Sequence, residues 1–365
     1  MTGDPQRATR CIAHCDADRF YFAVEALERP ELATENRPVV IGSDPRRAPR
    51  AVVTTANDAA RARGINSGVS AARALRLAPD ALFISPRHDV YRAYSARLMA
   101  VLREASPVVQ PLSIDEAWLE WAEHGFDPAA AHALRQRVLA RTGLSISVGV
   151  ASSKLVAKMA TETAKPGGVR VVAPGQEAEF LSPQPVRALF GVGPRTAERL
   201  AAASVVTIGE LAAQSPEQLV ELFGQNHGLS LWERAHGVDL SELHPHREPK
   251  SYSAEHTFQR DTGDRHVLWA ELRAQASEVG ARLQGDRLLA AEVAIKLRYA
   301  NFETVTRQLR LPAPTAAPEA LADAAGLLMR RHWDRSRPIR LIGLRAARFS
   351  LADRPIQLSL TRNEE

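Results

Sequence analysis

Two acidic pairs stand in apolar surroundings, Asp16 with Asp18 after RCIAHC, and Asp115 with Glu116 inside PLSIDEAWLEW. Mg²⁺ is a hard cation that takes oxygen ligands, so carboxylates placed in this way could hold it. Two such ions about 3.5–4 Å apart can activate a 3′-hydroxyl and hold a leaving pyrophosphate, the chemistry of nucleotidyl transfer. Residues two apart on a strand share a face and adjacent ones do not. Asp115 and Glu116 can therefore serve one metal pair together only near a twist or a strand edge. Taken alone, a DxD or DE pair more often serves as a salt bridge or a turn cap.

The elements that must position these acids follow from the patterning. Residues 10–16 read as a short buried strand, and the next segment turns helical and stops at Pro30. VVIG at 39–42 and AVVTT at 51–55 read as strands joined by a charged turn. NDAARARG and SAARALRLAPD read as short helices closed by Gly64 and Pro79. A long helix over 89–105 precedes strand-like VVQPLSIDEAWLEW, then the helix DPAAAHALRQRVLARTG and the alternating strand at 144–151. That β-α-β-β-α-β order predicts a mixed sheet with helices on one face and an insertion after the first strand. From 176 the pattern becomes short helices. Residues 244–251 read as a linker, followed by strands at 291–299 and 303–311 and helices at 266–284 and 318–332.

A chain of 365 residues exceeds the usual size of one core, so two to four domains are expected. No apolar run approaches the ~20 residues of a membrane span, and the N-terminus lacks a signal-peptide core, so a cytoplasmic protein is expected. Cys11 and Cys15 lie four apart in an expected strand, ~13 Å from each other, too far for a disulfide. Net charge is +5, yet residues 250–350 hold 17 Lys and Arg against 11 Asp and Glu, a net of +6. A basic C-terminal unit beside a near-neutral remainder suits a polyanion clamp, or an ordinary solvated surface.

The words around the acids add specificity. HCDADRFYFAVE (14–25), TTANDAAR (54–61), PLSIDEAWLE (111–120), VGVASSKLVAKMATETAKP (148–166), GVGPRTAERL (191–200), KSYSAEHTF (250–258) and IKLRYANFETVTR (295–307) occur in this order. The series resembles the motifs of the Y-family translesion DNA polymerases, most closely their bacterial DNA polymerase IV branch, over residues 10–350. The resemblance implies an α+β multidomain right-hand fold. Its ferredoxin-like palm would cover 10–19 and 87–175, small fingers 20–86, and a helical thumb with a helix-hairpin-helix 176–243. An α/β little finger would cover 252–350, beyond the linker 244–251, with a flexible tail over 351–365.

It also implies a DNA-dependent DNA polymerase adding deoxynucleotides to a primer 3′-end at low fidelity without proofreading, on two Mg²⁺, with Mn²⁺ accepted. Asp16 and Asp115 match the metal-bridging aspartates, the Ala17 carbonyl a further ligand, and Glu116 the acid near the primer hydroxyl. Tyr21 falls at the position that discriminates the sugar, with Phe20 beside it in the nucleotide pocket; read from residues alone, Tyr21 is a core aromatic. Thr55, Arg61 and Lys165 match the triphosphate contacts, and a hydroxyl, a planar fork and a point cation suit that task. Asp18 reads as an N-cap for the helix that follows.

Gly191, Gly193, Arg195 and Thr196 resemble a helix-hairpin-helix turn whose backbone N–H groups meet a DNA phosphate. Arg298, Arg307 and Arg310 would meet duplex phosphates from the little finger. Gln357, Leu358 and Leu360 resemble a short sliding-clamp peptide in the tail. Primer-template DNA, an incoming dNTP and the clamp are the implied partners of a monomer associated with the nucleoid. A non-catalytic DNA-bound adaptor would have lost the acids, and a nucleotidyl cyclase would need no duplex clamp.

The chain departs from the family pattern in three places. Asp58-Ala59-Ala60-Arg61 replaces Tyr-Glu-Ala-Arg, Gly68-Val69-Ser70 replaces small-Met-Pro, and Arg19 is unusual between the acids and Tyr21. A carboxylate at 58 repels a triphosphate unless it points away or finds Arg46, Arg47 or Arg50. Either nucleotide affinity is weakened or an arginine of the 44–50 loop takes over.

Overall fold

The computed structural model describes residues 10–245 and 248–352, so Gln357, Leu358 and Leu360 lie outside the described residues. Residues up to His246, save Ala48–Arg50, form one compact unit, and those from Arg247 on, with Ala48–Arg50, form a second.

In the first unit, strand β1 (Ile12–Ala17) puts Ile12, His14 and Asp16 on one face and Ala13, Cys15 and Ala17 on the other. Helix α1 (Phe20–Glu28) follows. An insertion then builds β2 (Val39–Ile41), β3 (Thr55–Ala56), α2 (Asp58–Ala62), α3 (Ala71–Leu77) and β4 (Leu82–Ile84), whose strands order as β3-β2-β4. Asn57 and Ser70 cap α2 and α3 by accepting from the backbone N–H three residues on. The strand expected over 51–55 shrinks to Thr55–Ala56. Val53 instead donates its N–H to Val69 O at 2.8 Å and accepts from Gly68 at 2.9 Å, which takes it out of the ladder.

The chain returns through α4 (His88–Ala105), β5 (Val109–Pro111), β6 (Glu116–Glu120), α5 (Pro128–Thr142), β7 (Ile146–Ala151), α6 (Lys154–Ala164) and β8 (Val169–Val171). The sheet runs β5-β6-β1-β7-β8, with β1 antiparallel to both neighbours. This is the expected β-α-β-β-α-β order with its first strand central, extended by β8 parallel to β7. Helices α4 and α5 cover the face of Ala13, Cys15 and Ala17. The expectation of helices on one face alone fails at α6, which packs with Ile12 and Trp118 on the other. Gly149 makes this possible: a Cβ there would stand 2.1 Å from Ala157 O and 2.4 Å from Thr161 N. Cys11 and Cys15 are buried free thiols, and burial pushes both up, Cys11 to about 12.

Beyond β8, α7 (Glu177–Leu181), α8 (Pro194–Ala202), α9 (Ile208–Ala212), α10 (Pro216–Phe223) and α11 (Gln225–Ala235) share a core with α6. Capping boxes at Thr207–Glu210 and Ser215–Gln218 fix two of these short helices.

In the second unit, β9 (Ser251–Thr262), α12 (Arg265–Gly285), β10 (Leu288–Tyr299), β11 (Thr304–Thr315), α13 (Pro318–His332) and β12 (Ile339–Leu351) make an antiparallel sheet ordered β11-β10-β12-β9. The expected hairpin and helices are present, whereas β9 and β12 were not legible as strands. Val293, Ile295 and Leu297 pair with Ala346, Leu344 and Ile342 on the face that α12 and α13 cover. Lys296, Arg298 and Arg345 belong to the opposite face of the sheet.

Candidate active site

Asp16 and Glu116 are direct cross-strand partners on β1 and β6, so their side chains rise from the same face, the one that α6 approaches. Asp115 lies just before β6, where Ala17 N donates to its carbonyl at 2.9 Å. It is thus outside the pleat, at the strand end that two adjacent acids require.

Each carboxylate has a partner. Asp16 Oδ2 accepts from Lys165 Nζ at 2.9 Å, and Lys165 also donates to Glu162 at 2.8 Å. Glu116 accepts from Lys158 of α6 and stands 3.4 Å from His14 Nε2. Asp115 accepts from Ser113 Oγ. Burial pushes Asp16 up to about 6; Lys165 opposes that shift, while the charges of Asp115 and Glu116 add to it. Burial would also raise Glu116, but the His14 ring and the Lys158 ammonium hold it down to about 2. Burial lowers His14 to about 4, and its Nδ1 lies 3.0 Å from Thr161 Oγ1. Among the described residues, no three His, Cys, Asp or Glu side chains converge closely enough to hold an ion. The acids are gathered by register, with Asp16 and Glu116 turned to lysines and Asp115 to Ser113. An all-carboxylate oxygen set still fits a hard divalent cation, and the two ammonium groups occupy the positive role beside it.

Asp18 is neither an N-cap nor part of this set. Its oxygens accept from Ser145 Oγ and Ser147 Oγ at 2.7 Å and from Gly167 N at 2.9 Å, which anchors the Lys165 segment to β7. The N-cap of α1 is Arg19, which makes no side-chain capping bond.

Tyr21 is half-buried, stacked edge-on against Tyr91 at 4.7 Å, and burial and then the Asp115 charge raise its hydroxyl pKa. Phe20, by contrast, is 2% exposed in the core. Its ring is therefore unavailable to a nucleotide, and only its backbone could take part. Arg61 donates to Thr55 Oγ1 at 3.0 Å and to Ala56 O at 2.9 Å, so these two predicted contacts are neighbours. Asp58 finds none of the arginines of the 44–50 loop. It pairs with Arg19 at 2.6 Å, joining the two unusual positions of the sequence.

Gly191 adopts φ 95°, and Gly193 starts α8 with no side-chain cap. The N–H groups of Arg195 and Thr196 in the first turn of α8 are thereby left for an outside acceptor. Phe190, just before this turn, meets the Lys158 ammonium at 5.5 Å. In the second unit, Arg298 and Arg310 pair with Thr304 and Glu292, on the sheet face without helices. Arg307 pairs with Ile295 on the helix-covered face, so the register does not bring it together with the other two. Lys296 and Arg345 share the open face and were missed; Lys296 had a signal in its place two residues from Arg298, whereas Arg345 is set there only by its register opposite Ala294. Lys158, on α6, was missed although it precedes Lys165, just past the end of that helix, by seven residues.

Two family models match the chain, the impB/mucB/samB family over residues 15–162 and its C-terminal domain over residues 249–360. The DNA polymerase IV of Halorhodospira halophila is 38% identical over 92% of this chain and 94% of its own length. Those of Methanoculleus marisnigri and Streptomyces coelicolor are each 37% identical, over 92% and 93% of this chain and 94% and 71% of theirs. Among solved structures, a Y-family DNA polymerase chimera of Dbh and Dpo4 superposes with a TM-score of 0.83 at 22% identity, covering 93% of this chain and 99% of that one. An insertion ternary complex of Dbh DNA polymerase gives 0.65 at 23% identity, with coverage of 93% and 99%. With the ferredoxin-like sheet, the paired acids and matches of this extent, the chain belongs to the Y family of translesion DNA polymerases.

Proposed function

We propose that this DNA-directed DNA polymerase extends a primer opposite damaged template by two-metal nucleotidyl transfer, with Asp16, Asp115 and Glu116 as its catalytic acids. The observation that carries the reading is the Asp16–Glu116 register, which sets two carboxylates on one face with Asp115 at the adjoining strand end. Divalent-metal use comes with the family; Mg²⁺, two ions and the Ala17 carbonyl as a ligand are our assignments. The metal, when bound, neutralises charge on the phosphate oxygens and lowers the pKa of the attacking hydroxyl. Asp16, Asp115 and Glu116 would hold it. Lys158 and His14 keep Glu116 ionised in a half-buried setting, so that it is ready as a ligand. Lys165 leaves Asp16 for the triphosphate, to which Thr55 and Arg61 also donate. The Tyr21 ring lies under the incoming sugar and excludes a 2′-hydroxyl by shape.

Duplex contacts are assigned to the α8 N-terminus through Gly191, Gly193, Arg195 and Thr196, and to the open sheet face of the second unit through Arg298 and Arg310. The domain limits given above, a monomeric state, a cytoplasmic location at the nucleoid and a clamp peptide at Gln357, Leu358 and Leu360 are part of the same proposal. Among the described residues no helix is long and apolar enough to cross a membrane.

The test is extension of a labelled primer on a template, with Mg²⁺, with chelator, and with Mg²⁺ restored. Template-directed addition that chelator stops and Mg²⁺ restores is expected. An enzyme that binds primer-template and dNTP yet adds nothing in Mg²⁺ or Mn²⁺ would be an adaptor and would sink the reading.

A further inference from the structure

The Arg19–Asp58 pair has no place in the catalytic assignment, yet it sits beside it. Arg19 follows Asp16 by three residues and occupies the N-cap position of α1; Asp58 is the first residue of α2, one turn from Arg61 and three residues past Thr55. A 2.6 Å ion pair therefore joins two helix N-termini next to the groups assigned to the triphosphate. The start of α1, which no side chain caps, carries the positive pole of its helix dipole, a setting that favours an anion, whereas the short α2 is already capped by Asn57.

The cations already assigned there have other commitments. Arg61 gives its Nε to Ala56 O and an Nη to Thr55. Lys165 is divided between Asp16 and Glu162. Arg19 has Asp58 as its partner among the described residues, and the pair is open to water, 39% and 68% exposed at the two side chains. An exposed guanidinium–carboxylate contact is weak, whereas a multiply charged phosphate offers the same planar fork a stronger bidentate acceptor. Arg19 also holds φ 51°, an uncommon left-handed conformation for a residue of its kind, and does so without capping its helix. A backbone outlier of this kind points to a functional demand on where the residue stands.

We propose that Arg19 is a nucleotide-binding residue held in reserve by Asp58: the guanidinium leaves the carboxylate for the terminal phosphates of the incoming nucleotide. The inference rests on the triphosphate assignment of Thr55, Arg61 and Lys165 made above. Asp58 is on this account a competitor, and it lowers nucleotide affinity by occupying the cation. Its cost to binding operates through Arg19 and through nothing else.

The experiment measures the dissociation constant of the correct dNTP on a dideoxy-terminated primer-template, so that binding is read without chemistry. Asp58→Asn is expected to tighten binding by about 2- to 5-fold, the size of an exposed ion pair released. Arg19→Ala should weaken it by at least as much. In the Arg19→Ala, Asp58→Asn double variant the gain should vanish, giving the affinity of Arg19→Ala alone. Unchanged or weaker binding in Asp58→Asn overturns the proposal, as does a gain that persists in the double variant, which would mark plain repulsion by the carboxylate. Arg61→Ala is the control. Weakened binding there with unaltered Arg19 and Asp58 variants sinks the exchange alone, and unaltered binding in Arg61→Ala too sinks the triphosphate assignment beneath it.

Discussion

At the residue scale, each of the two acids on the face shared by Asp16 and Glu116 meets a lysine. Lys165 faces Asp16 and Lys158 faces Glu116, with neutral His14 between Glu116 and Thr161. Tyr21 stands at the edge of this set, half-buried against Tyr91. On the proposed assignment, truncating the ring removes a steric wall and no hydrogen bond that the reaction needs. Tyr21→Ala should therefore raise ribonucleotide incorporation relative to deoxynucleotide by ~10-fold or more, in competition assays on one template. An unchanged ratio assigns the tyrosine to packing. Tyr91 makes a separate prediction. Burial and its hydrogen bond to Glu25 raise its hydroxyl to about 12 from an ordinary 10. The folded state then holds the proton more tightly than the unfolded chain, so this contribution to stability is complete below pH 10 and is lost as pH rises to 12. Tyr91→Phe should flatten the alkaline limb of a stability–pH curve over that interval.

At the element scale, α1 is the lever that places Tyr21 and Arg19, and it is pinned to α4. Glu25, 0% exposed, takes Arg87 Nε at 3.0 Å and Nη2 at 2.7 Å together with the Tyr91 hydroxyl at 2.7 Å. Removing Glu25 strands the buried Tyr91 hydroxyl, while Arg87, 30% exposed, can turn to water, at a cost of about 1–3 kcal/mol. Glu25→Ala should lose about that much in denaturant unfolding, and a loss under ~1 kcal/mol would show that the pin is not what holds α1. The same scale shows which elements could be read from residues. The alternation in LSISVGVA and the caps at Asn57, Ser70 and Asp127 announced their elements, and Gly149 was visible but its need was not, since only α6 packed at 2.1 Å gives it one. Strand β9 escaped because His256 interrupts the apolar series Tyr252, Ala254 and Phe258. Strand β12 escaped because a central strand that pairs on both sides is punctuated by Arg340, Arg345 and Arg348, of which the register puts Arg345 on the open face. The Arg19–Asp58 contact joins residues 39 apart in sequence, and no local pattern reports it.

For the whole molecule, each unit carries one of the surfaces proposed to meet nucleic acid. The first has the uncapped start of α8, and the second has the helix-free sheet face with Arg298, Arg310, Lys296 and Arg345. The +6 charge of residues 250–350 is concentrated in the second. Each phosphate contact adds about 0.9 to the slope of log affinity against log salt. Arg298→Ala and Arg310→Ala should each reduce the slope for primer-template by about that amount, and Arg307→Ala, on the covered face, should leave it unchanged. Equal losses for all three would show that face does not matter and that only total charge does. The ordered motifs made the reaction class legible, because each short word is tied to one task. Which arginines share a face depended on strand register, which the sequence did not specify.

The central claim is that Asp16, Asp115 and Glu116 carry the chemistry while the rest of the chain holds the substrates. Single-turnover addition of one dNTP by wild type, Asp16→Asn, Asp115→Asn and Glu116→Gln, at saturating primer-template and Mg²⁺, tests it most directly. Template-directed addition by wild type is predicted, with the two aspartate variants at least ~1000-fold slower, about 4 kcal/mol of lost transition-state stabilisation, while DNA affinity is kept. An Asp115→Asn enzyme that adds the nucleotide within tenfold of the wild-type rate would contradict the account.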